Sequence, residues 1–155
     1  MPEPWEAARL GVMTRTQTGP PPDTTTTESL SARFGAVFEA MAADSDMFTR
    51  DALFDLNMPV WRFQIVGGDA FTAHLRKIAK GTPRLRVLRT VPTASGFVTE
   101  HEERQGTDGG TYSARRLWLC VVRDGSIAEA VGYCSGEWDD ALRARHALEA
   151  PMVRS

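Results

Sequence analysis

Apolar residues recur at helical spacing in two stretches and at strand spacing over most of the remaining chain. Leu30, Phe34, Val37, Phe38 and Met41 fall at i, i+4, i+7, i+8 and i+11, one apolar stripe along a helix. Thr25 and Glu28 have capping-box spacing at its start, and Asp44-Ser45-Asp46 ends it. A short helical turn is expected at residues 49–54. Residues 55–66 read as an extended segment, with Pro59 confining it to a sheet edge or a bend. Gly67-Gly68 breaks that segment, and Asp69 caps a second helix carrying Phe71, Leu75 and Ile78 on one face. Gly81 closes this helix and Pro83 forbids its continuation.

Residues 84–137 alternate as strands: 84–91, 97–104, 111–123 and 126–137. Asp124-Gly125 is the strongest hairpin signal, a two-residue type I′ turn. Residues 138–148 form a last helix. Helices first and a strand meander later predict an α+β fold rather than α/β. A regular register from the hairpin turn pairs Arg123 with Ser126, Leu119 with Ala130, Leu117 with Gly132 and Arg115 with Cys134. Directly opposed residues share a face, so this register puts Cys120 and Cys134 on opposite faces, too far apart for a disulfide. One face of the return strand is then all small: Ala128, Ala130, Gly132, Cys134 and Gly136. Either a helix packs close to that face or a ligand sits on it. The other face combines Arg116, Trp118, Cys120, Val131 and Tyr133. An apolar patch of that kind predicts a homodimer.

Composition narrows the classes. With 155 residues, 42% hydrophobic and 25% charged, the chain suits one globular domain with a real core. The longest apolar run is six residues, Leu117 to Val122, against the ~20 that a membrane helix needs. The start carries Glu3 and Glu6 and no apolar stretch, unlike a secretory signal, and a cytoplasmic location is expected. Residues 1–27 are expected to be a flexible tail. They hold seven threonines between Thr14 and Thr27 and the run Pro20-Pro21-Pro22, too little apolar surface to offset ordering entropy. Met13 is a second candidate start. The domain then spans residues 28–149, with residues 150–155 as a C-terminal tail. Net charge is −2, without the basic excess of a nucleic-acid binder. The one local excess is Arg76, Lys77, Lys80, Arg84, Arg86 and Arg89, either a solvated face or a dock for an acyl carrier protein or phosphate. Two cysteines make no disulfide scaffold, and the three histidines share no metal spacing, so neither metal nor cofactor is expected.

No phosphate loop, nucleophile elbow or zinc-protease motif is present. The pattern of the whole chain carries more. Phe54-Asp55-Leu56-Asn57, the run from Phe63 through Gly67-Gly68 to Phe71, and Val122-Arg123-Asp124-Gly125-Ser126-Ile127-Ala128-Glu129 occur in that order. This arrangement resembles the nuclear transport factor 2-like superfamily and, within it, the SnoaL-like group, over residues 28–140. The resemblance implies N-terminal helices packed in the concave face of one strongly curved, mainly antiparallel sheet, a cone-shaped α+β barrel with a conical pocket. It includes polyketide cyclases, ketosteroid isomerase, scytalone dehydratase, limonene-epoxide hydrolase and non-catalytic members, so fold does not fix function. Many SnoaL-like members follow the hairpin Glu with Trp-Asp, the Asp an acid/base. Val131 and Gly132 stand there in this chain.

Other groups must then carry any chemistry. Asp55 is either a base in a partly apolar site or a turn carboxylate. His101, with Thr99 and Glu103 on its strand face, is either a proton carrier near neutral pH or an exposed strand histidine. Arg115 either holds an enolate or carboxylate oxygen or pairs with a neighbouring acid. Asn57 would help Arg115 to steady an oxyanion. Trp61 and Phe63 wall an aromatic substrate or belong to the core, and His74 on the second helix is a ligand contact or a core histidine. Leu117, Leu119, Gly132 and Cys134 complete the expected binding surface. The expectation is a small cofactor-independent enzyme of bacterial-type specialised metabolism. It would move protons on a small apolar, polyketide-like substrate in cyclisation, isomerisation, dehydration or epoxide opening. The alternative is a non-catalytic binding or dimerisation module.

Overall fold

The structure, a computed structural model, describes residues 24–42, 44, 46–150 and 152. In chain order the elements are α1 (Thr24–Ala40), β1 (Phe48–Met58), β2 (Trp61–Val66), α2 (Gly68–Ile78), β3 (Thr82–Thr93), β4 (Gly96–Thr107), β5 (Gly110–Arg123), β6 (Ser126–Cys134) and α3 (Asp140–Glu149). One six-stranded curved sheet has the order β2-β1-β6-β5-β4-β3. Every neighbouring pair is antiparallel except β1 with β6. This is the expected α+β architecture, with α1 and α2 laid against one face of the sheet.

The helices sit where their apolar stripes can be buried. Leu30, Phe34, Val37 and Phe38 of α1 are buried against β3 and β4, and Phe71 and Leu75 of α2 are buried with them. Ile78, expected on the same face, stays partly exposed. Helix α1 begins at Thr24, inside the expected tail, and Thr27 is fully buried. Residues 1–23, with Trp5 and Met13, lie outside the described residues. The start of α2 also departs from expectation. Gly67, at φ 88°, is its N-cap, and Asp69 lies two residues further in, within the first turn. Asp69 acts there as a first-turn acid facing the helix dipole rather than as the cap.

The helical turn expected at residues 49–54 is instead part of β1. Ala52, Phe54 and Leu56 alternate inward there, and β1 is hydrogen-bonded on both sides, to β2 and β6. Two flanking strands override a weak local preference. The bend at Pro59 is the β1–β2 turn, with Met58 opposite Trp61. The ring of Phe54 stacks on Phe71 at 4.0 Å, fixing β1 to α2.

The last hairpin turns at Asp124 and Gly125, both with positive φ (52° and 81°), as a type I′ turn requires. Arg123 faces Ser126 as expected, and Val122 faces Ile127. A bulge then intervenes: Val121 faces Glu129, which leaves Ala128 without an opposite residue. Beyond it Cys120 faces Ala130, Trp118 faces Gly132 and Arg116 faces Cys134. The expected register is therefore wrong by one residue, because a bulge puts two residues opposite one. Three corrections follow. Cys120 and Cys134 share a face, although both are free and four positions apart along the ladder, about 13 Å. Trp118, Cys120 and Arg116 point inward. The small residues Ala130 and Gly132 leave room that the indole of Trp118 occupies, since a Cβ on Gly132 would lie 2.5 Å from its Cζ3.

The concave side is thus filled with aromatic rings. Phe34 approaches Trp118 edge-on at 5.2 Å, a geometry that ring quadrupoles favour, and Phe38 meets it tilted at 5.4 Å. Helix α3 buries no residue. It is held by Arg143, which donates to Thr111 O, Ser113 Oγ and Trp138 O.

Candidate functional site

Strand β4 turns Thr99, His101, Glu103 and Gln105 toward the helices, and all four are buried. Burying four polar side chains is costly unless each finds a partner. At the inner end, Ser31 of α1 bonds Thr99 Oγ1 at 2.9 Å and Thr90 Oγ1 at 2.7 Å, and Thr99 meets His101 Nε2 at 3.1 Å. This hydroxyl chain ties α1 to β3 and β4. The imidazole lies among the rings of Phe34 and Phe38, with no partner for Nδ1 among the described residues. Burial, reinforced by the Arg116 charge, holds its pKa down at about 4, so His101 is neutral at neutral pH.

Toward the mouth of the cone the cluster becomes ionic. Arg116 of β5 donates from Nε to Glu103 Oε2 at 2.5 Å, and both side chains are almost wholly buried. Gln105 Nε2 donates to Glu103 Oε1, while Gln105 Oε1 accepts from the Lys80 backbone N–H at 2.7 Å. The carboxylate of Glu103 is therefore held on both oxygens. Arg116 is held only at Nε, and neither of its terminal nitrogens has a hydrogen-bond acceptor among the described residues. Glu137, beyond β6, pairs with the ammonium of Lys80, which lies 4.4 Å from the centre of the Tyr112 ring.

Glu103, Gln105, Arg116 and Glu137 border two small crevices, of about 10 and about 20 Å³. The second has an apolar wall of Phe38, Met41, Leu75 and Ile78. Such a volume holds about one water, so the mouth as it stands admits no polycyclic substrate.

The residues singled out from the sequence divide between the two sides of the sheet. His101, Gly132, Cys134, Phe63 and His74 lie on the helix side. The rings of Phe63 and His74 lie tilted with centroids 4.7 Å apart, and His74 Nε2 is buried with no hydrogen-bond partner among the described residues. Burial, with Lys77 and Arg116 nearby, lowers the His74 pKa. Cys134 lies opposite Arg116, and its Sγ accepts from Gly136 N–H. Asp55, Asn57, Arg115, Leu117 and Leu119 are on the outer face, so Asp55, His101 and Arg115 do not converge. Asp55 accepts from Arg62 at 3.0 and 2.6 Å and from Gln64 at 3.0 Å, and the Arg62 guanidinium holds its carboxyl below the usual range. Asn57 donates to Gly132 O at 3.4 Å. Arg115 is exposed, 3.6 Å from Glu100. Trp61 is exposed at the end of the β1–β2 hairpin. The basic run is split: Arg76 donates to Met41 O beside α2, while Arg86 and Arg89 pair with Glu102 and Glu100 on the outer face.

Sequence reasoning missed Arg116, Gln105 and Glu137 and gave Glu103 no role beyond its shared face with His101. The signal lay in the alternation Thr99, His101, Glu103, Gln105, an unusual polar series on a strand whose other face carries Glu100, Glu102 and Arg104.

No protein-family model matches the chain, and no curated protein matches it. Solved structures do. An LEH-like epoxide hydrolase from M. tuberculosis aligns over 84% of this chain and 100% of its own, with 17% identity and a TM-score of 0.57. A protein of unknown function from Mesorhizobium loti, described as nuclear transport factor 2-like, aligns over 74% of this chain and 97% of its own, with 21% identity and a TM-score of 0.55. A protein with a ketosteroid isomerase-like fold from Catenulispora acidiphila, solved with trimethylamine, aligns over 69% of this chain and 85% of its own, with 9% identity and a TM-score of 0.55. The fold's neighbours thus include an enzyme, a small-molecule complex and a protein of unknown function. With α1 and α2 in the concave face of a six-stranded curved sheet, this chain has the nuclear transport factor 2-like fold.

Proposed function

We propose that the chain is a cofactor-independent acid/base enzyme acting on a small, largely apolar molecule at the mouth of the cone. The reaction class is isomerisation, dehydration, cyclisation or epoxide opening. The observation that carries this reading is the buried Glu103–Arg116 pair, the one ionic pair set within the core among the described residues, opening on a crevice with an apolar wall. A structural ion pair of this depth is costly to desolvate and contributes little net stability, so a chemical role is the better account of it. In this reading Glu103 exchanges the substrate proton and Arg116 steadies the oxyanion that develops. His101 positions the cluster without reaching the substrate, and Asp55 and Arg115 take no part.

A second reading, binding without turnover, is favoured by the aromatic packing that leaves the cone so little volume. Assays on a simple aliphatic epoxide and a β,γ-unsaturated cyclic ketone separate the two. Turnover of either should fall at least ~100-fold in Glu103→Gln and partly return in Glu103→Asp. A folded Glu103→Gln protein with unchanged turnover removes Glu103 from the mechanism. No turnover by the wild type leaves the second reading.

A further inference from the structure

We propose that the mouth of the cone takes its ligand by a carboxylate group, and that Glu137 is the tethered carboxylate this group displaces. The inference rests on the mouth being the small-molecule site. Arg116 is 5% exposed and uses one of its five N–H donors, the Nε–H bonded to Glu103. The remaining donors, on the two terminal nitrogens, meet no acceptor among the described residues. The terminal nitrogens are not sealed in the core, since Arg116 lines both crevices, and their planar fork matches the two oxygens of a carboxylate.

The mouth already shows what such a group does there. Glu137 borders both crevices together with Arg116, and its carboxylate is held by Lys80 over the Tyr112 ring. The two acids differ in freedom. Glu103 is fixed within β4 by Gln105 and Arg116. Glu137 sits in an irregular segment between β6 and α3, and it is exposed. A ligand carboxylate can replace Glu137 on Lys80 and also reach the idle nitrogens of Arg116. Displacing Glu137, which borders this crevice of about 20 Å³, must widen it, and the attached chain then lies along Phe38, Met41, Leu75 and Ile78. A neutral ligand lacks the charge to compete with Glu137.

Calorimetric titration of the full chain with octanoate and with octanamide tests this, because the two probes share a tail and differ in charge. Octanoate should bind at least about tenfold tighter than octanamide, the effect of a charge-assisted pair. Glu137→Gln should tighten octanoate about threefold or more and leave octanamide unchanged. The double variant Glu103→Gln/Arg116→Gln removes both buried charges together, so neither is stranded, and it should cut the preference for octanoate at least about threefold, leaving what Lys80 supplies. Equal binding of the two probes, no octanoate binding, or weaker octanoate binding in Glu137→Gln overturns the proposal. If the double variant does not fold, the comparisons on the wild type and Glu137→Gln decide alone. These readouts are equilibria and need no turnover, so they fail separately from the enzymatic reading.

Discussion

His101 shows how much one buried side chain sets for its surroundings. Its imidazole has a neutral-state role only: it meets Thr99, and the aromatic rings exclude water from it. Its folded pKa, about 4, lies below the 6.5 of an unfolded histidine. Between these values the unfolded chain binds the proton and the native chain does not. Stability from this group is therefore full above pH 6.5 and is lost as pH falls toward 4. Denaturant unfolding at pH 7 and pH 5 should show a loss of about 2 kcal/mol from this residue. His101→Gln should be less stable at pH 7 but should flatten that difference. An equal pH slope in the variant would assign the effect elsewhere, first to His74, whose pKa is shifted in the same direction.

At the scale of elements, the β5–β6 hairpin decides which side chains face the helices. The bulge at Ala128 reverses the inward set beyond it, so Gly132 lies beneath the Trp118 ring rather than on the floor of an open pocket. Gly132→Leu should accordingly lower stability by about 3 kcal/mol or more, since a well-packed core does not accept added volume. A folded Gly132→Leu protein with wild-type melting temperature would show that space exists there. The sheet, both main helices and the turn at Asp124-Gly125 were legible in the sequence, because periodicity and turn chemistry act locally. The site was not. Its residues come from neighbouring strands, and a single unpaired residue sets their relative phase. Nothing in Ser126-Ile127-Ala128-Glu129 marks where a bulge will fall, and the regular register made Arg115 the inward arginine in place of Arg116. The strand at residues 49–54 was illegible for a related reason, since its identity depends on two partners distant in the chain.

On the scale of the whole molecule, the outer face of the sheet remains to be covered. Leu117, Leu119, Val131 and Tyr133 form its centre, and three of them are substantially exposed. This is the outer set in place of the one that the regular register predicted, and the expectation of a homodimer passes to it. Light scattering at micromolar concentration should give twice the chain mass, and Leu119→Lys should give the monomer without loss of fold. A monomeric wild type would leave this face for another partner. Arg84, Arg86, Arg89, Arg104 and Arg115 border the apolar centre on one side, with Glu100 and Glu102 between them.

The parallel pairing of β1 with β6 sets an order of events during synthesis. β1 is among the first elements to leave the ribosome, and its inner neighbour β6 is the last strand made, with Leu56 waiting for Gly132. Until then the β1–β2 hairpin and α2 have no sheet to join, and Phe54 and Phe71 can pack only on each other and on Phe38 and Phe48. The β3–β5 meander can assemble meanwhile with α1, but Trp118 has no Gly132 to lie over. Closure of the sheet is thus a single late step that spans most of the chain, and such distant contacts fold slowly. A nascent chain stalled before Ser126 would display its aromatic core to chaperones rather than to itself, so quality control would act on this protein chiefly in the interval before its last strand emerges.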